Sequence, residues 1–289
     1  MGRLRIGFQG EHGAYSEEAI YKQFGREVKT VPAVSKHEVF NLTEAGAVDL
    51  GVVPVENSVE GSINETYDML LASDLKVTGE IVLRVVHCLI ALQTAKLAGI
   101  KVVYSHPQAL AQCRNFVTSM GIEPRVTYDT AGSAKMIKNK RLEGAAAIAG
   151  ERAARIYGLK VIKKGIEDYS TNSTRFLIIA REAGENGSHG SPAHRRGISH
   201  GSKTSLIFAV PHTPGSLYNA LEVFAKAKIN LTKIESRPTK ERPWEYYFFV
   251  DFQGRNDDSK VVTVLSELAK KTAFLKVLGS YPRSKADRA

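Results

Sequence analysis

Apolar and polar positions along the chain switch between a period of two and a period near 3.6, which predicts strands and helices in alternation. Residues 4–8 alternate as a strand and run into the turn Gln9-Gly10-Glu11-His12-Gly13-Ala14-Tyr15-Ser16. A helix is predicted from near Ser16, with Glu17 and Glu18 in its first turn, where acidic side chains favour the helix dipole. Residues 28–34 read as a second strand, and Ser35 with Glu38 forms a capping-box pattern that starts a second helix. A short apolar strand over 49–55 is followed by the polar loop 56–62 and a helix over 63–71. Residues 76–92 read as one long strand, and 101–104 as another that leads into a helix beyond Ser105. Strand, helix, strand and helix follow at 125–130, 131–140, 144–149 and 151–157. The apolar run Leu177-Ile178-Ile179-Ala180 then has the look of a core strand. Repeated β–α units predict parallel sheets with helices on both faces.

The pattern changes after residue 182. Residues 184–202 are rich in Gly, Ser and His, have no apolar periodicity and read as a linker. A second unit follows, with strands at 204–210, 231–236, 246–252 and 275–281 and helices at 216–228 and 259–271. That order, βαββαβ, is the ferredoxin-like split.

Composition narrows the function classes. A chain of 289 residues has room for two domains. The net charge of +10 is spread along the whole chain, with no basic stripe interleaved with aromatics, so nucleic acid is not an expected partner. A diffuse positive field does raise the local concentration of a small anion. Cys88 and Cys113 show no metal or redox spacing and read as buried thiols of a reducing compartment. The apolar run 81–92 is too short to cross a membrane and is broken by Arg84 and His87. With the first strand beginning almost at the N-terminus, no signal peptide is visible, and a cytoplasmic protein is expected.

Candidate chemistry gathers at loop–element junctions. The polar, hydroxyl-rich stretch from Asp168 to Ser173 meets the core strand at Thr174 and Arg175, the kind of junction where open α/β sheets build ligand sites. The turn with Gly10 and Gly13 can bring backbone N–H groups to an anion at a helix start, but it is not a dinucleotide fingerprint. Asn57, Ser58 and Ser62 are short hydrogen-bonding side chains, and equally good turn and cap residues; Ser62 reads best as a cap. His106, beside Pro107 at a helix start, reads as structural, and no cluster has metal-ligand spacing. Pro214 and Gly215 open a helix and can offer backbone donors to a small carboxylate.

Together these segments resemble the prephenate dehydratase family. The matching strings are Gly10-Glu11-His12-Gly13-Ala14-Tyr15-Ser16, Pro54-Val55-Glu56-Asn57-Ser58 with Gly61-Ser62, Ser105-His106-Pro107-Gln108-Ala109-Leu110 and Asn172-Ser173-Thr174-Arg175-Phe176. The C-terminal unit resembles an ACT regulatory domain, with Glu235-Ser236-Arg237-Pro238 matching its effector motif and Pro214-Gly215-Ser216-Leu217 matching a Gly-Ala-Leu motif loosely. The resemblance implies an α/β fold: a two-lobed catalytic domain like type II periplasmic binding proteins, plus a ferredoxin-like βαββαβ ACT domain. It implies a catalytic domain over 1–182, with lobes of about 1–80 plus 165–182 and of 81–164. A linker over 183–202 and an ACT domain over 203–282 follow.

The implied reaction converts prephenate to phenylpyruvate with loss of water and carbon dioxide, and L-phenylalanine is the implied inhibitor. Thr174, Arg175 and Asn172 are the implied catalytic residues. Gly13, Tyr15, Ser16, Glu56, Asn57, Ser58, Ser62, Ser105, His106, Gln108 and Phe176 are implied at the substrate. Pro214, Gly215, Ser216, Leu217, Asn230, Glu235, Ser236, Arg237 and Pro238 are implied at the effector. Aromatisation of the ring supplies the driving force, so no cofactor or metal is expected. Arogenate dehydratase, which acts on the amino analogue, and a non-catalytic sensor of small acids are the competing readings. ACT domains pair, so a homodimer or homotetramer is expected.

Overall fold

The computed structural model describes residues 2–182 and 201–284. The expected linker therefore lies outside the described residues but for its last two, and Ser202 already begins a strand. Two compact units form: Met1–Gly61 with Val82–Phe176, and Ser62–Ile81 with Leu177–Ala289.

In the first unit, β1 (Arg5–Gln9) lies parallel to both β2 (Lys29–Ala33) and β3 (Leu50–Asn57). These strands belong to a sheet of order β2-β1-β3-β11-β5, where β5 is Lys76–Arg84 and β11 is Ser173–Ala180, with β4 (Gly61–Ser62) beside β3; residues 62, 76–81 and 177–180 of it are counted in the second unit. Ile6, Phe8, Val52 and Val53 are wholly buried, which is what the alternation at 4–8 and the apolar run at 49–55 demand. Helix α1 (Tyr15–Phe24) starts one residue before Ser16, after Ala14 in the cap position. Helix α2 (Lys36–Glu44) has the expected cap, with Ser35 Oγ accepting the Glu38 N–H at 3.2 Å.

A second sheet in the same unit takes the order β10-β6-β9-β7-β8. Its strands are β6 (Cys88–Ala91), β7 (Val102–Ser105), β8 (Glu123–Val126), β9 (Ala145–Ala149) and β10 (Lys160–Lys164). The expectation of parallel sheets is corrected here: β7 is parallel to β8 and β9, but β6 is antiparallel to both β9 and β10. The expected single strand over 76–92 also breaks in two. At the break, Val85 N–H donates to Asn172 O at 2.9 Å, and His87 O accepts from Gly165 N at 2.9 Å and Ile166 N at 3.1 Å. Those backbone groups are satisfied by loops instead of a ladder, so the chain leaves one sheet and enters the other reversed. The strand expected at 125–130 ends at Val126, because Asp129 serves as the cap of α6 (Thr130–Lys140) and accepts the Gly132 N–H at 2.7 Å. Strand β10 was not expected; its lysine-rich edge pattern hides the alternation. Cys88 and Cys113 are free and buried, and burial pushes the Cys88 thiol up to about 11 and the Cys113 thiol higher still. No helix among the described residues is long and apolar enough to cross a membrane.

The second unit has the expected βαββαβ order: β12 (Ser202–Ala209), α8 (Ser216–Lys226), β13 (Leu231–Pro238), β14 (Tyr246–Gln253), α9 (Ser259–Ala269) and β15 (Phe274–Pro282). The antiparallel sheet runs β13-β14-β12-β15 and buries Leu206, Phe208 and Phe252 in one core cluster with Phe224 of α8 and Leu268 of α9. Helix α3 (Asn64–Ala72) belongs to this unit and packs Tyr67 against Phe249, with ring centroids 4.7 Å apart. Lys276 Nζ reaches the end of α3 and donates to Leu71 O at 2.9 Å and Ser73 O at 2.6 Å, satisfying carbonyls the helix leaves open. Glu80 and Lys203 form a buried ion pair at 3.0 Å. Gly279 holds a φ of +154°, and a Cβ there would lie 2.1 Å from Val77 O, so only glycine fits this crossing.

Candidate active site

Strand β11 is anchored by Phe176, Leu177, Ile178 and Ile179, all buried, so Thr174 and Arg175 project from a rigid support. The loop after β3 is stitched to the segment before β11. Ser58 N–H donates to Ser173 O at 2.9 Å, and Ser58 Oγ donates to Thr171 O at 3.0 Å and accepts the Ser173 N–H at 2.9 Å. Arg175 Nη1 lies 3.6 Å from Glu56 Oε2.

Asn57 is the centre of the arrangement. Its Oδ1 accepts two backbone N–H groups, Val59 at 2.9 Å and Glu60 at 3.0 Å. Two fixed donors on the carbonyl oxygen settle which end of the amide is which. Asn57 Nδ2 then gives its two protons to Asn172 Oδ1 at 2.8 Å and Thr174 Oγ1 at 3.0 Å. Because Asn172 accepts through Oδ1, its Nδ2 is the donor to Gln112 Oε1 at 2.9 Å. Gln112 Oε1 also contacts His87 Nε2 at 2.9 Å, and an oxygen that only accepts requires the proton to be on Nε2. The polarity set at two backbone amides is thus carried along four side chains.

Thr174 Oγ1 is an acceptor in that chain, and among the described residues no acceptor is recorded for its own proton. The hydroxyl is left with one donor capacity, the capacity a leaving oxygen needs. Asn57 and Asn172 are 5% and 1% exposed, so every donor in this chain is strengthened by its low-dielectric setting.

The turn after β1 is held by a second set of bonds. Glu11 accepts from Tyr128 Oη at 3.1 Å and Lys135 Nζ at 2.9 Å, while Tyr157 Oη donates to His12 O at 2.9 Å. Gly10 holds a φ of +109°, and a Cβ there would meet Asp129 Oδ2 at 3.0 Å. Burial pushes the Asp129 carboxyl up, against the pull of the Gly132 amide. Burial also pushes Glu17 up, but bonds from His12, the Gly13 amide, Arg152 and Thr30 overcome it and hold the carboxyl below its usual range. A lowered folded pKa makes Glu17 stabilising above about pH 4.3, its unfolded value, and that contribution is lost as pH falls through the lower folded value. We expect Glu17→Gln to flatten the acid limb of a stability-against-pH curve in that window, read by urea midpoints; an unchanged limb refutes the assignment.

The residues implied at the substrate divide into three groups. Asn57, Ser58, Glu56, Asn172, Thr174 and Arg175 come together around the loop–strand junction. Others are engaged inside the unit: Gly13 N–H donates to Glu17, Ser105 Oγ donates to Ile148 O at 2.6 Å, Tyr15 Oη meets His87 Nδ1 at 2.9 Å, and Ser16 and Phe176 are buried. His106 caps α4 (Pro107–Gln112), accepting the Gln108 N–H at 3.3 Å, and burial lowers its pKa. Ser62 stands apart, in the second unit. It caps no helix, the cap position of α3 being Ile63 without a side-chain bond; its Oγ instead donates to Glu235 Oε2 at 2.7 Å. Sequence reasoning passed over Gln112 and His87. Both are polar side chains set among apolar neighbours, and that was the available signal, since buried polar groups require partners.

The residues implied at the effector also divide. Pro214, Gly215, Ser216 and Leu217 line a cavity of 560 Å³ with Tyr218, Trp244, Tyr246 and Phe248. In the β13–β14 register Ser236 faces Phe248 and Pro238 faces Tyr246, so both share the cavity-lining face of the sheet. Glu235 and Arg237 point to the other face. There Arg237 Nη2 donates to both Asp68 oxygens at 3.2 Å, and Lys240 Nζ reaches Asp68 at 2.7 Å. Asn230 stands just before β13, where its backbone O accepts the Gln253 N–H at 3.0 Å.

Comparison with known proteins adds the following. The family profile described as Prephenate dehydratase matches residues 6–184, and the profile described as ACT domain matches 204–270. Arogenate dehydratase/prephenate dehydratase 2, chloroplastic, of Arabidopsis thaliana is 42% identical over 97% of this chain and 73% of its own length. The bifunctional chorismate mutase/prephenate dehydratase of Stutzerimonas stutzeri is 40% identical over 97% of this chain and 74% of its own. A crystal structure of prephenate dehydratase in complex with L-Phe from Arthrobacter aurescens superposes with a TM-score of 0.85 at 29% identity, covering 99% of this chain and 91% of that one. A structure described as GqqA, a novel type of quorum quenching acylase, gives 0.86 at 31% identity over 98% of this chain and 100% of that one.

Proposed function

The chain belongs to the prephenate dehydratase family, and on that premise we propose how it works: it dehydrates and decarboxylates prephenate to phenylpyruvate in phenylalanine biosynthesis, with the Thr174 hydroxyl as the group that meets the leaving oxygen. In this reaction the bond between the ring and its carboxylate breaks to give carbon dioxide. The electron pair moves through the ring, and the C–O bond to the ring hydroxyl breaks at the far side. The departing oxygen takes a proton from solvent water and leaves as water, and the ring becomes aromatic. Threonine is far too weak an acid to supply that proton outright. It contributes a hydrogen bond that strengthens as charge builds on the leaving oxygen. The single observation that carries this role is the direction of the Asn57–Thr174 bond, which occupies the lone pair of Oγ1 and leaves its proton for a ligand. Arg175, held toward Glu56, is the cation for a substrate carboxylate.

Phenylalanine is the regulator, and the 560 Å³ cavity of the second unit has the volume and aromatic lining for an amino acid of that kind. The same strand that carries Ser236 toward the cavity face carries Glu235 to Ser62, only five residues along the chain from Asn57. Strand β13 is an edge strand with Ile234 exposed, which favours pairing with a second copy, so the protein works as a homodimer or homotetramer. It acts in the cytoplasm. The catalytic part spans about 1–182 and the ACT domain about 203–282. We expect Ser236→Ala or Glu235→Gln to raise the phenylalanine concentration for half-inhibition roughly 3–10-fold, the cost of one hydrogen bond. An unchanged inhibition curve removes the motif from regulation.

The experiment that tests the whole reading is conversion of prephenate to phenylpyruvate by the purified protein, with and without millimolar phenylalanine, and with arogenate in parallel. Turnover of prephenate suppressed by phenylalanine supports it. Preferential turnover of arogenate makes the protein an arogenate dehydratase, and no turnover of either leaves the sensor.

A further inference from the structure

His87 is buried at the break between β5 and β6, and its ring lies between two polar partners, Tyr15 Oη at 2.9 Å on Nδ1 and Gln112 Oε1 at 2.9 Å on Nε2. Its own backbone N–H is fixed by Glu167 Oε2 at 2.9 Å, and its ring packs edge-on to Tyr15. We propose that His87, held as the Nε2–H tautomer, is a positioning residue for the dehydration, acting through Gln112, Asn172 and Asn57 on the Thr174 hydroxyl. The proposal rests on Thr174 being the donor to the leaving oxygen.

Val59 and Glu60 N–H groups orient Asn57; Asn57 orients Asn172; Asn172 and His87 both donate to one oxygen of Gln112. Gln112 is 7% exposed, and among the described residues its Oε1 meets two donors, one on the segment before β11 and one before β6. Remove the imidazole donor and the Gln112 amide can turn over, which places its NH₂ against the Asn172 NH₂. Asn172 must then turn as well, and Asn57 loses the acceptor that directs its second proton to Thr174. Burial lowers the His87 pKa, so the ring is neutral and Nδ1 is free to accept the Tyr15 proton. Tyr15 Oη also lies 3.0 Å from Val86 O, so the phenol has a second acceptor and Nε2–H persists in either protonation state of the ring.

The test pairs two variants. His87→Gln keeps an amide donor near the Nε2 position, and His87→Asn places its amide near Nδ1, too short to reach Gln112. We expect His87→Asn to lower kcat about 10-fold or more with KM for prephenate within about twofold, and His87→Gln to recover most of that loss. In the wild-type protein, ¹⁵N spectra of the imidazole at neutral pH are expected to show protonated Nε2 and bare Nδ1. Equal kcat for all three proteins, or loss in both variants in proportion to lost melting temperature, overturns the proposal, as does an Nδ1–H tautomer. Wild-type protein that turns over prephenate while Thr174→Val does not, with His87→Asn fully active, overturns this inference and leaves the proposed function standing. Absence of wild-type turnover fails the proposed function instead.

Discussion

Thr174→Val is expected to lower kcat for prephenate by at least ~10², the scale of losing one preorganised donor to a developing oxyanion. The substitution is close to isosteric and removes the only atom that can both accept from Asn57 and donate to a ligand. It also leaves one Asn57 proton without an acceptor, a cost of roughly 1–3 kcal/mol in stability that a melting curve will register separately. Thr174→Ser restores both functions and should return most of the activity, with the residual loss reflecting the freer rotation of serine. Valine retaining near-wild-type turnover would remove Thr174 from the mechanism. The complementary expectation is that Asn57→Leu, which spares the threonine but cuts all four hydrogen bonds of the Asn57 side chain, falls in kcat more than it changes KM.

Lys203→Met is expected to destabilise the fold by about 3–5 kcal/mol, the effect of removing one partner of a buried ion pair. Lys203 Nζ lies 3.2 and 3.0 Å from the two Glu80 oxygens, and both side chains are shut off from water. Glu80 also accepts the Ser284 N–H at 2.9 Å. The double change Lys203→Met with Glu80→Met should recover most of the lost stability, since it removes both desolvated charges together. Urea unfolding with unchanged m-value reads both effects. If the single and double variants unfold at the same urea concentration, the pair is not what holds strand β12 to strand β5.

The same two sites show how differently sequence and structure contribute. Strand alternation at 4–8, the Ser35–Glu38 cap, each element of the C-terminal βαββαβ unit and the loop–strand junction at Thr174 are set by residues only a few positions apart in the chain. Local rules of periodicity, capping and turn chemistry act over that distance, so these features are legible without a fold. The reversal of β6 is not, because it depends on Asn172, Gly165 and Ile166 satisfying the backbone at Val85–His87 from far along the chain. Nor is the role of Ser62, whose hydroxyl has a good local use as a cap and a better partner 173 residues away in Glu235. Gln112 and His87 stayed hidden for a related reason. A buried amide or imidazole has no meaning in sequence until its partners are known, and theirs are 60 and 72 residues distant, at Asn172 and Tyr15. The sequence by itself determined most of the elements, and its resemblance to the family pointed to Thr174 as the proposed donor. The direction of the proton that donor offers is a property of the assembled hydrogen-bond chain, since each amide's orientation is decided by the neighbour it meets in space.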